Sequence, residues 1–144
     1  MKEEVPKMGL DNGLVIKTKK IIDSNEIPEF VKIAGYASSL DGANWEYEVC
    51  YWRKCWNIRR MILNVLGASD QGGEYEVTMS QLTKIRDGLY NFLTQGYEWD
   101  DSGDSIWNFE EMISNLAQNI VDITWALSYL KENPYAYMFF YDSY

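Results

Sequence analysis

The sequence predicts an α+β fold, mainly helical, with a three-helix core, a long C-terminal helix and a small β-sheet from an N-terminal and a C-terminal strand. Three observations predict it. Apolar residues recur every three or four positions from Ile106 to Leu130, two shorter stretches with the same period each end at a glycine, and the tail Tyr135 to Tyr141 is aromatic at nearly every position.

Taken in order, Asp11-Asn12-Gly13 is a turn signal, and Leu14 to Lys17 after it reads as a short strand. Between Asp23 and Asn44, Pro28, Gly35, Ser38, Ser39 and Gly42 break any period, so irregular chain is expected, with a short helical turn near Glu29 to Ile33. The first helix is predicted over Trp45 to Leu66, with Gly67 as its C′ residue and Tyr51, Cys55, Ile58, Ile62 and Val65 as its apolar stripe. The second starts near Thr78, where Thr78 and Gln81 form a capping box, buries Leu82, Ile85, Leu89 and Phe92, and stops at Gly96.

The third helix carries the longest seam: Ile106, Phe109, Ile113, Leu116, Ile120, Ile123, Leu127 and Leu130. Such a seam more often forms the spine of an intramolecular bundle than a coiled coil, although it leaves homo-oligomerisation through this helix open. After Asn133-Pro134, Tyr135 to Tyr141 is expected to be a strand covered on both faces and available to pair with Leu14 to Lys17.

A chain of 144 residues with 47% hydrophobic content supports one globular domain, residues 8–144, preceded by a flexible extension, residues 1–7. Cys50 and Cys55, five positions apart on the predicted first helix, are offset by roughly 140° and cannot pair with each other. Two free thiols suit a reducing compartment. No segment has the length and apolarity of a membrane span, and Met1 to Lys7 lacks the apolar core of a signal peptide. A cytoplasmic protein is expected.

Histidine is absent, which removes the commonest general base, the Ser/His and Cys/His nucleophile pairs and zinc sites built on imidazole. An enzyme here would have to run on carboxylates, lysine or tyrosine. A binding protein without cofactor or metal is favoured. The net charge of −9 is unevenly placed: Glu98 to Asp142 holds nine acids against Lys131 alone, whereas Trp52 to Arg60 has Arg53, Lys54, Arg59 and Arg60 and no acid. An acidic chain disfavours direct duplex nucleic-acid binding and suits a partner with a basic surface.

Two segments carry candidate sites. In Tyr51-Trp-Arg-Lys-Cys-Trp-Asn-Ile-Arg-Arg60, helical spacing would put Arg53, Asn57, Arg60 and Asn64 on one stripe beside Trp52, Trp56 and Lys54. That face could stack a ring and hold a phosphate or carboxylate. The competing reading has the arginines paired to acids of the same chain and the tryptophans in the core. In Trp99-Asp-Asp-Ser-Gly-Asp-Ser105, the acids Asp100, Asp101 and Asp104, with Glu110 and Glu111 beyond, are partner-binding candidates. A calcium loop there lacks its sixth-place glycine, so Asp104 or Ser105 as the N-cap of the third helix is preferred.

Met8-Gly-Leu-Asp-Asn-Gly-Leu14 resembles an MGLDMYL-type opening, and Glu48-Val-Cys-Tyr-Trp-Arg-Lys-Cys-Trp-Asn-Ile58 resembles the E-V-x-YWRKAN-x-I-H segment of a family of small phage and prophage proteins of uncharacterised activity. The order of segments also resembles the family's, from an opening strand and a YWRK helix to a Y-x-V segment leading into a helix, a last helix and the aromatic-serine end Phe140 to Tyr144. Arg59 stands where that pattern has histidine, so no role needing imidazole carries over.

Together these features predict a phage- or prophage-encoded acidic interaction protein, a stoichiometric inhibitor of a nuclease-type host defence factor. It would act in the cytoplasm of an infected or lysogenic bacterium. The alternatives are a small-ligand protein binding a nucleotide-like anion through Trp52, Arg53, Lys54, Asn57 and Arg60, and, least favoured, a carboxylate-dependent enzyme.

Overall fold

The computed structural model describes residues 10–39, 42–69, 72–97 and 108–143, apart from the side chains of residues 36–39 and 42–44. The described residues form five strands, β1 (Asp11–Thr18), β2 (Lys32–Ser39), β3 (Gly42–Arg53), β4 (Gly73–Val77) and β5 (Tyr137–Ser143), and three helices, α1 (Trp56–Leu66), α2 (Met79–Gln95) and α3 (Phe109–Glu132), in the order β1-β2-β3-α1-β4-α2-α3-β5. The strands form one antiparallel sheet in the order β2-β3-β1-β5-β4. The α+β class holds, but the sheet is five strands wide rather than two, and it forms one wall of the core.

The expected partnership of the two terminal strands is present, with Leu14 opposite Phe140 and Ile16 opposite Met138. Met138, Phe139 and Phe140 are buried in succession, so β5 is covered on both faces. Asp11-Asn12-Gly13 is part of β1 and not a turn before it. Asn12 can sit in a buried strand because its Nδ2 donates to Asp142 Oδ1 at 2.7 Å, and Gly13 leaves room for the Tyr141 ring, which a Cβ there would meet at 2.4 Å.

The largest departure from expectation lies between residues 23 and 55. The chain expected to be irregular forms a short 3-10 turn, Ser24–Glu26, and then β2, and no helix occupies Glu29 to Ile33. The predicted first helix is two elements: Gly42–Arg53 is strand and only Trp56–Leu66 is helix. Aromatic and β-branched residues interleaved with glutamates from Trp45 to Trp52 favour a strand. A bulge conceals the alternation, since Cys50 pairs with Leu14 but Glu48 with Val15, leaving Val49 as the extra residue. Lys54 makes the corner in the left-handed region, φ 56°, and its N–H donates to Leu10 O at 2.7 Å. Cys50 therefore lies on the strand and Cys55 at the N-cap of α1, both as buried free thiols.

The remaining helices follow their caps. Gly67 ends α1 at φ 64°, Thr78 and Gln81 cap α2 reciprocally, and Gly96 ends it. The N-cap of α3 is Asn108, boxed with Glu111, so the helix starts later than Asp104 or Ser105 would have it. Its buried line is Met112, Leu116, Asn119, Asp122, Ile123, Ala126 and Leu130, rotated from the predicted seam, while Phe109 is exposed. Leu116, Ile123 and Leu130 belong to both lines. All three helices cover one face of the sheet, where Leu14, Ile16, Tyr47, Cys50, Trp52, Met138 and Phe140 meet Ile58, Ile62, Leu82, Ile85, Leu89 and Leu116 in one core.

Candidate functional site

The YWRK segment does not form one face. Trp52 is fully buried on the helix side of the sheet, its indole Nε1 donating to Asn119 Oδ1 of α3 at 2.8 Å. Arg53 is on the opposite side of the sheet, 3.3 Å from Asp11 Oδ1. Lys54 is the corner residue between β3 and α1. Of the predicted stripe, Asn57, Arg60 and Asn64 keep their relationship on α1, with Arg60 Nη1 donating to Asn57 Oδ1 at 2.6 Å. A strand advances by alternate faces and a helix by 100° per residue, so the corner at Lys54 dissolves a stripe drawn for continuous helix.

Asn57, Arg60 and Asn64 instead line an open groove between α1 and α2 of about 530 Å³. Across it stand Asn91 and Gln95, and at its end Phe92 and Tyr97 meet edge to face with centroids 5.2 Å apart. The arginine withdrawn from water is Arg59, 5% exposed, which grips Asp142 through Nε at 2.7 Å and Nη2 at 2.9 Å. Sequence reasoning missed this pair. The available signal was a lone aspartate in an otherwise aromatic strand.

The acidic candidates separate as well. Asp100, Asp101 and Asp104 lie outside the described residues. Glu111 spends one carboxylate oxygen on the Asn108 N–H at 3.0 Å as part of the cap, and Glu110 is exposed beside it, a position the positive end of α3 favours. Of the other acids in the Glu98 to Asp142 block, Asp122 and Asp142 are buried and Glu132 closes the far end of α3. The described part of that block is therefore not a single acidic face.

An acidic face does exist, built from other residues. Among the described residues no helix packs on the second face of the sheet, and the register puts Asp11, Glu46, Glu48, Glu74 and Glu76 on it, with Tyr51, Tyr137 and Tyr141 between them. Its bases are Lys17, Lys32 and Arg53. Lys17 is shared by Glu46 at 3.5 Å and Glu74 at 3.8 Å, and also covers the Phe139 ring at 4.2 Å. Tyr141 donates to Glu48 Oε2 at 2.9 Å; burial, then the Glu48 charge, push its hydroxyl far above the usual phenol range. It is a donor at any physiological pH.

A third place is a cavity of about 200 Å³ between α3 and the part of β3 beyond its pairing with β2. Asp122, Asn119 and Cys50 line it. Burial raises the Asp122 carboxyl and raises the Cys50 thiol well above its ordinary value, the charges of Asp122 and Glu48 adding to the latter. Such a thiol stays protonated, the reverse of what a nucleophile needs. Among the described residues no group of histidine, cysteine or carboxylate side chains is placed to hold a metal, and no described helix is long and apolar enough to cross a membrane.

The class these features define is an antiparallel α+β domain with helices on one face of its sheet and an acidic, tyrosine-bearing face on the other. Comparison with protein-family models, with curated proteins and with solved structures gives no match for the chain.

Proposed function

We propose that the chain is an acidic interaction protein that docks the sheet face opposite its helices onto a basic, nucleic-acid-binding surface of another protein. The observation that carries this reading is the composition of that face: five carboxylates against three bases, with Lys17 and Arg53 already engaged by carboxylates of the same sheet. Tyrosines supply amphipathic contact area at low entropic cost, and the acids supply complementarity and steering. The resemblance to phage proteins extends the proposal to a stoichiometric inhibitor of a nuclease-type defence factor in the cytoplasm of an infected or lysogenic host.

The test uses Glu74→Lys/Glu76→Lys, two exposed positions on the edge strand β4, in affinity capture from host lysate followed by competition. Wild type should retain a nucleic-acid-binding protein, release it to added duplex DNA or RNA and lose it as salt rises, and the double variant should fail to retain it. Capture indifferent to charge reversal, salt and nucleic acid would sink the reading.

A second reading, a nucleotide-like anion held in the α1/α2 groove, is favoured by Arg60 facing the amides of Asn64, Asn91 and Gln95 beside an aromatic pair. Thermal-shift measurements with nucleotides and cyclic dinucleotides address it. Stabilisation of wild type that disappears in Arg60→Ala is the expected result, and no stabilisation by any of them removes it.

A further inference from the structure

We propose that the cavity between α3 and β3 is a binding site for a guanidinium or primary ammonium group, with Asp122 as its counter-ion. Asp122 is 1% exposed, yet the described residues give its carboxylate one hydrogen bond, from Gln118 Nε2 to Oδ1 at 3.0 Å, and no cation. Its second oxygen has no donor among those residues. Asn119, 4% exposed, is placed likewise: its Oδ1 accepts from Trp52 and Asn115, while its Nδ2 has no acceptor among the described residues. Both side chains line the cavity, so a deeply buried acceptor and a deeply buried donor share one small space. The one fully buried side-chain atom without a partner among the described residues is Asn12 Oδ1, so the second oxygen of Asp122 and the Nδ2 of Asn119 are not sealed off but open to the cavity, where an occupant can complete their hydrogen bonds.

The chemistry of that occupant follows from the walls. The carboxylate accepts hydrogen bonds and prefers a cation. Glu48 adds a second negative charge against Lys32. The neighbouring groove, which shares Phe30, Asn115 and Gln118 with the cavity, brings Glu110 and Glu111 to its approach. At about 200 Å³ the space takes a cationic head with a short aliphatic stem and is below the roughly 300 Å³ at which drug-sized pockets begin. A free amine or the end of a partner's arginine or lysine would offer the same group. The proposal does not depend on docking by the sheet face.

The experiment titrates the intact chain with N-methylguanidinium, n-propylammonium and the neutral isostere N-methylurea, following the side-chain amide NMR signals of Gln118 and Asn119. The cations should give saturable shifts and bind about tenfold or more tightly than the urea. Asp122→Asn should abolish that preference, and Glu48→Gln, at a half-buried wall position, should weaken both cations about two- to fivefold as an independent check. Equal binding of urea and cations, no binding of either cation, or cation binding unchanged in Asp122→Asn and Glu48→Gln would each overturn the proposal. Arginine amide compared with a capped Gly-Arg-Gly peptide then names the source. Tighter peptide binding assigns the site to a partner's side chain, tighter binding of the free amide to a small amine, and either ordering supports the cation site.

Discussion

Arg59 and Asp142 are 83 residues apart in sequence and join α1 to the last strand through a bidentate contact that water scarcely reaches. Asn12 Nδ2 donates to the same carboxylate, so three elements meet on one buried charge pair. Removing one partner strands the other, which is costlier than the pair is valuable. Asp142→Ala should lower the unfolding free energy by about 3–5 kcal/mol in urea denaturation, while Arg59→Met/Asp142→Leu should lose much less. A cost below about 1 kcal/mol for the single change would show that the pair is not closed to water in solution. Lys54 offers a prediction of opposite sign. Its left-handed backbone carries a Cβ penalty of about 1 kcal/mol, so Lys54→Gly should hold or raise the unfolding midpoint, and Lys54→Val should lower it.

At the scale of elements, β1 and β5 are held from two sides. Toward the helices Leu14 and Phe140 pack in the core, and on the other face the Tyr141 ring lies over Gly13 while its hydroxyl reaches Glu48 on β3. Gly13→Ala drives a methyl into that ring. The expected cost is about 1–3 kcal/mol, read as a lowered melting temperature and, in hydrogen exchange, as faster exchange of the β1 and β5 amides than of those in α2. Uniform loosening of all elements would contradict the assignment of the effect to this contact. These strands were legible because β propensity and a run of aromatics need no long-range information, and α2 because its cap, stripe and glycine stop are all local. β3 was not, since its bulge depends on what lies across the sheet at Leu14 and Val15. The seam of α3 misled for a related reason: its buried line passes through Asn119 and Asp122, whose burial is set by Trp52 and the cavity.

For the whole molecule, the candidate sites were least legible where they depend on assembly. The acidic block was visible as charge along the chain, but the acidic face arises only when β3 and β4 are brought to either side of β1 and β5. Asp122 shows how such placement enters stability. Burial raises its carboxyl above the ordinary value near about 3.9, with Gln118 opposing the shift weakly. The native state therefore holds this proton to higher pH than the unfolded chain does. Between the unfolded value and the raised native one, stability falls as pH rises, and above that window Asp122 is a net liability. The polar isostere Asp122→Asn has no charge to desolvate, so it should unfold at higher urea than wild type at pH 7, and the advantage should vanish near pH 3. The same comparison in saturating N-methylguanidinium separates burial from occupancy: a bound cation should restore the wild type toward the variant at pH 7 and do nothing for Asp122→Asn. A wild type less stable than the variant by the same margin at both pH values would show that the carboxylate's charge is not what burial opposes there.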